Sequence, residues 1–136
     1  MLIKKANKIF LIDAYALIYR SYFAFSKNPR ITSGGFETSA IYGFVNTIFE
    51  VLSKEELTHM AVVFDTPQKT HRHIEFPDYK AHRDAMPEGI SAAIPYIKRI
   101  LSAFNISIIF LDGYEADDVI GTLAQKTSQA SYETYM

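Results

Sequence analysis

Three carboxylates crowd into four consecutive positions late in this chain: Glu115, Asp117 and Asp118, within GYEADDVIG. Two readings of that crowding stand side by side. In the first, the acids serve the start of a helix. Asp112-Gly-Tyr-Glu115 has the spacing of a capping box, and negative charge in a first turn suits the positive end of the helix dipole. In the second, a cation sits among them, because a third acid adds repulsion that a helix end does not need. Glu115 and Asp118 are spaced i, i+3 and share a face, whereas Asp117 points to the side, where a second ion would fit.

The acids extend beyond this stretch. KIFLIDA (8–14), HMAVVFD (59–65) and ISIIFLDG (106–113) are short runs, apolar on both faces, as buried parallel strands are. Asp13, Asp65 and Asp112 close them. Each alone reads as a cap for the next helix. Together with Glu115, Asp117 and Asp118 they aim several charges at one sheet edge, a repulsion of several kcal/mol unless a proton or metal intervenes. The chain has no cysteine, so ligands must be oxygen or imidazole, and carboxylates favour Mg²⁺ or Mn²⁺.

Helices must carry the chain between these strands. AYALIYRSYFAF follows the first strand, and NPRITSGGFETS (28–39) reads as a loop. Thr38 or Ser39 is expected to cap the amphipathic helix AIYGFVNTIFEVLSKE. Residues 66–87 are polar and irregular. A helix is expected over 87–105, with Pro87 at its start and Pro95 as a kink. EADDVIGTLAQKTSQA reads as the last helix, and YETYM (132–136) as the opening of a fourth strand. Alternating strands and helices define an α/β fold, a parallel sheet with helices on both faces. Its functional crevice is expected beyond the carboxyl ends of the strands.

At 136 residues, 49% hydrophobic and 14% aromatic, the chain suits one domain with a real core, which excludes a disordered tail. A net charge of −1 does not advertise a nucleic-acid partner, although a basic surface can be local. The N-terminus, lysines followed by an apolar run, mimics a signal peptide, but Asp13 interrupts the run and no small-residue cleavage site follows. No membrane span is expected, and a cytoplasmic location is.

Positive charge is local. Three of the four histidines and four of the fourteen Lys/Arg fall in KTHRHIEFPDYKAHR, Lys69 to Arg83. Such a run is commonly a solvated loop. Here, however, Lys80 and Arg83 are spaced i, i+3 with Tyr79 beside them, a pattern suited to a phosphate backbone and a stacked base. His71 and His73 lack a third ligand, which argues against zinc. Arg20 lies one helix after Asp13. Acids for divalent metal, joined to cations for a phosphodiester, point to two-metal phosphoryl transfer.

The blocks IDAYALIYRSYFAF, TSAIYGF, VVFD, YKAHR and GYEADDVIGTLA, in this order and spacing, resemble the N-terminal 5′ nuclease domain of bacterial DNA polymerase I, of the flap endonuclease superfamily. The resemblance runs over essentially the whole chain and implies a PIN-like, resolvase-like fold. It implies that Asp13, Asp65, Glu115, Asp117 and Asp118 bind two divalent ions, Mg²⁺ or Mn²⁺. It places Tyr79, Lys80 and Arg83 in a helical gateway over the active site, within a mobile segment 66–87, with Arg72 nearby on DNA. Arg20 would contact a phosphate, and the regions Thr32–Gly35 and Thr38–Tyr42, including Ser39, would handle duplex and flap DNA. The implied reaction is hydrolysis of a phosphodiester near a 5′ end, flap or nick, leaving a 5′-phosphate, in replication and repair.

Two departures from the pattern stand out. Asp13 is followed by Ala14 where relatives carry glycine, for which only local adjustment is expected. Relatives also continue past a strand like YETYM with two more acidic ligands, a DNA clamp and, later, a polymerase domain. The expectation is therefore a truncated nuclease domain, weak or inactive in isolation. Two rival readings remain. A haloacid-dehalogenase-type phosphatase needs a second aspartate where Tyr15 stands. A non-catalytic nuclease-like DNA-binding module would not need the full acid set.

Overall fold

The computed structural model describes residues 8–55, 57–65, 86–110, 116–129 and 133–135. Strand β1 (Lys8–Asp13) leads directly into helix α1 (Ala14–Ala24), then α2 (Ser39–Lys54) and β2 (His59–Val63). A short helix α3 (Glu88–Ser91) precedes α4 (Ala93–Ala103), β3 (Ser107–Ile109), α5 (Ala116–Gln129) and β4 (Glu133–Tyr135). The four strands form one sheet in the order β3-β2-β1-β4, every neighbouring pair parallel. The expected fourth strand is present: β4 pairs with β1, and Tyr135 stacks on Phe10 at 4.8 Å.

Parallel pairing requires long crossovers, and the helices supply them on both faces. One face carries Phe10, Ile12, Met60, Val62 and Phe64. Against it pack Ile18 of α1, Phe44 and Ile48 of α2, Ile90 of α3, and Ile97 and Leu101 of α4. The other face, Leu11, Ala61 and Val63, packs on Ala116 and Ile120 of α5. The alternation of β1 and β2 between these two clusters follows the two-residue period of a strand, which is hidden when both faces are apolar.

Several boundaries differ from the sequence expectation, each for a local reason. Strand β2 ends at Val63, not Asp65; the Phe64 amide still bonds the Ile109 carbonyl at 2.8 Å, and Asp65 lies beyond the ladder. Strand β3 begins at Ser107, because Asn105 and Ile106 are used to end α4. Asn105 adopts φ 59°, and the Asn105 and Ile106 amides return to Ser102 and Leu101 at 3.0 and 2.9 Å, a Schellman closure. The 87–105 helix is interrupted at Ala92. Pro95 has no N–H to give the Ser91 carbonyl four residues back, so the helix breaks one turn before it. Thr38 sits at the N-cap of α2 without a side-chain capping bond. Ala14 opens α1 fully buried and with no positive φ.

Helices α1 and α2 approach closely. A Cβ added at Gly43 would lie 2.7 Å from the Ser21 Cβ, so this crossing requires glycine.

Candidate metal and nuclease site

Asp13 and Asp65 stand at the carboxyl edge of the two central strands. Asp13 is paired with Val63, the last residue of β2, so Asp65 lies two residues past the end of the neighbouring strand. Strand spacing and rise put their α-carbons on the order of 8 Å apart, a separation two carboxylates can bridge to a shared ion. Both are also tied to helix starts. Asp13 Oδ1 accepts the Ala16 amide at 3.2 Å, capping α1. Asp65 Oδ1 accepts the Ala116 amide at 2.6 Å, across 51 residues of sequence. That bond fastens the first turn of α5, which contains Asp117 and Asp118, to the end of β2.

Local chemistry at this edge is mixed. The Tyr15 ring meets Phe64 edge-on at 5.8 Å. Burial raises the Tyr15 phenol above the usual tyrosine range, and the negative charge of Asp65 and then the Tyr19 phenol add to the shift. Lys98 places its ammonium 5.0 Å from the centre of the Phe64 ring. Tyr15 and Lys98 carried no sequence signal for this edge, since their proximity comes from α1 and α4 packing over β2.

Of the five expected metal ligands, the structure brings Asp13 and Asp65 to one edge and sets Asp118, part-buried, in the first turn of the helix that Asp65 holds. Asp117 belongs to the same turn by its backbone. Glu115 lies outside the described residues, as does Asp112, so the capping box falls there too. Among the described residues no group of three or more His, Asp or Glu is assembled to hold an ion. The donor chemistry nonetheless fits a hard divalent cation, with carboxylate oxygens on adjacent strands and no thiol in the chain.

The expected DNA-contacting residues are placed unevenly. Arg72, Tyr79, Lys80 and Arg83 lie outside the described residues, as does the expected mobile gateway 66–87 apart from Met86 and Pro87. Arg20 is exposed on α1, two helical turns, or about 10 Å, from Asp13. Between α1 and α2, residues 30–38 form a small hairpin around an Ile31–Glu37 bridge, with Gly35 at φ 89°. Ser39 is fully buried, accepting the Arg30 amide at 2.9 Å and donating to Glu37 Oε1 at 3.3 Å. Thr38 donates to the Arg30 carbonyl at 3.3 Å. Tyr42 is exposed and meets Phe25 edge-on, and the Arg30 guanidinium lies 5.4 Å from each of those rings. Arg30, overlooked in the sequence, is thus the residue around which Thr38, Ser39 and Tyr42 gather. The segment expected as a loop thus contains a tied hairpin.

A parallel α/β sheet with acids at the carboxyl ends of its central strands defines an α/β domain with an acidic edge. Residues 8–136 match the family described as the 5′-3′ exonuclease N-terminal resolvase-like domain. The chain belongs to that family. It is 43% identical over 125 residues to a 5′-3′ exonuclease of Aquifex aeolicus, covering 92% of this chain and 43% of that protein. It is 41% identical to the DNA polymerase I of Treponema pallidum, over 92% of this chain and 12% of that one. The chain therefore spans less than half the length of these relatives. Among solved structures, the T5 D15 protein co-crystallised with metal ions matches with a TM-score of 0.64 at 20% identity, over 94% of this chain and 47% of that one. A T5 D15 flap endonuclease complex with DNA and metal ions matches with a TM-score of 0.63, also at 20% identity and over the same shares. At that identity the likeness shows a shared fold.

Proposed function

We propose that this chain is the N-terminal, metal-binding part of a 5′ nuclease that hydrolyses DNA phosphodiesters at 5′ ends, nicks and flap junctions. The observation that carries the reading is the joining of Asp13 and Asp65, on adjacent strand ends, to the first turn of α5 through the Asp65–Ala116 bond. Membership of the 5′-3′ exonuclease family supports it. The solved T5 nuclease structures of the same fold were determined with metal ions, which supports a divalent cofactor, Mg²⁺ or Mn²⁺.

Asp13, Asp65, Glu115, Asp117 and Asp118 are the residues that would hold the ions. When bound, such ions supply Lewis acidity toward the phosphate and an activated water nucleophile. The chain's own residues do the rest. Lys80 and Arg83 neutralise charge accumulating on the scissile phosphate, and Tyr79 stacks on a base. Arg20 and Arg72 contact the backbone. Tyr42 and Thr38 present the α1–α2 hairpin to duplex or flap DNA, with Ser39 holding the hairpin from beneath.

The biological setting is replication and repair in the cytoplasm. The parent is either DNA polymerase I, with a polymerase domain C-terminal to this region, or a stand-alone exonuclease. Relatives named 5′-3′ exonuclease and DNA polymerase I are both among those matched. Among the described residues no helix is long and apolar enough to cross a membrane.

The test uses the parent protein on a labelled 5′-flap duplex with Mg²⁺, with products read at nucleotide resolution. The expected result is a cut near the junction that leaves a 5′-phosphate and disappears with chelator or with Asp13→Ala. Cleavage undiminished by either would contradict the reading.

A further inference from the structure

We infer that Asp65 is a positioning residue: it holds the first turn of α5 through the Ala116 amide and thereby sets where the acids of that turn stand relative to Asp13. The use made of those acids rests on the proposed function; the anchoring itself does not.

The bond is a carboxylate-to-amide contact of 2.6 Å, at the short end for such pairs. Its donor is one of the backbone amides that a helix leaves without an internal partner at its start. Ala116 is 1% exposed and packed among Leu11, Ala61 and Val63, so water cannot readily replace the acceptor. Asp65 is on the correct side to do this. Strand alternation continues from Ala61 and Val63, which face α5, to Asp65. Helix ends are usually capped by a residue next to them in sequence, but here the acceptor comes from a strand end 51 residues away. The consequence is geometric. Asp117 and Asp118 follow Ala116 on the same helical turn, so fixing its amide to the end of β2 sets the height and rotation of that turn against the sheet. Asp13, hydrogen-bonded in register with β2, is referenced to the same strand. One carboxylate thus gives the acids on β1 and α5 a common frame before any ion arrives.

The experiment is amide hydrogen exchange by NMR on the metal-free 136-residue chain, followed by Mn²⁺ titration, for the unaltered protein, Asp65→Asn and Asp65→Ala. In the unaltered protein the Ala116 amide is expected to exchange within about tenfold of Ile120, which has a helical acceptor. Asp65→Asn keeps an acceptor oxygen and keeps most of that protection. Asp65→Ala removes it and accelerates Ala116 by at least about tenfold, while Phe44 and Ile97 on the opposite face stay protected. Mn²⁺ affinity is expected to fall at least about tenfold further in Asp65→Ala than in Asp65→Asn. Rapid exchange of Ala116 in the unaltered chain, or equal protection in all three proteins, would overturn the inference. Should Asp65→Ala fail to fold, Asp65→Val, which likewise offers no acceptor, takes its place under the same criterion. Equal Mn²⁺ affinity in the two variants would overturn the effect on the acids. Absence of Mn²⁺ binding in every protein would overturn a metal site formed by this chain alone, while the exchange rates still judge the anchor.

Discussion

Replacing Gly43 by alanine is expected to destabilise the protein, and replacing Gly121 by alanine to stabilise it, although both glycines lie inside helices. Helix propensity alone favours alanine by about 1 kcal/mol at either position. At Gly43 the new Cβ would meet Ser21 Cβ at 2.7 Å, Oγ at 3.0 Å and Cα at 3.2 Å. Two of those atoms cannot rotate away, so α1 and α2 must separate by roughly 1 Å, at an overpacking cost of about 2–3 kcal/mol. The net expectation is a loss of about 1–2 kcal/mol. At Gly121 nothing lies within 4 Å, so the propensity gain survives as about 0.5–1 kcal/mol. Urea unfolding followed by circular dichroism reads both as midpoint shifts of opposite sign at constant slope. Adding Ser21→Gly to Gly43→Ala should recover about 1 kcal/mol beyond the sum of the single effects, because the clash is a pair property. If both alanines stabilise, or if the double variant shows no coupling, the described α1–α2 contact is wrong.

Two further outcomes follow from the site's surroundings. Because the folded-state pKa of Tyr15 is raised above 10.0, folding binds its proton more tightly than the unfolded chain does. Its contribution to stability is therefore complete below pH of about 10 and is lost as pH climbs through the raised folded value. Tyr15→Phe should flatten that alkaline loss in urea titrations, and an unchanged slope would refute it. Arg30→Ala removes cation–π contacts to Phe25 and Tyr42, and should cost about 1–2 kcal/mol while leaving the sheet core intact. A loss below about 0.3 kcal/mol in thermal unfolding would show that the stack does not hold the hairpin.

What could be read in advance divides along a physical line. Strands β1 and β2 and helix α2 were legible because burial selects long, regular apolar patterns. The parallel sheet followed from their alternation with helices. Asp13 was legible as both strand end and cap because its partner, Ala16, is local. Asp65 was legible as an acid at the edge, but not as the anchor of α5. Its partner is 51 residues away, and no periodicity records such a bond. The same limit hid Gly43, whose constraint is Ser21 on another helix, and Arg30, which looked like an ordinary loop cation. The β3 boundary was overrun for a different reason: the apolar run ISIIF continues past the point where β2 stops pairing with it, and Phe110 is left 59% exposed.

The central claim is that the acids at the carboxyl edge of β1 and β2 and the start of α5 form one divalent-metal site. Crystals of this chain soaked in Mn²⁺, with an anomalous difference map, test it most directly. The account predicts a peak within coordination distance of Asp13 or Asp65 and of an acid in the first turn of α5. A map with these carboxylates well ordered and no peak among them at saturating Mn²⁺ would contradict it.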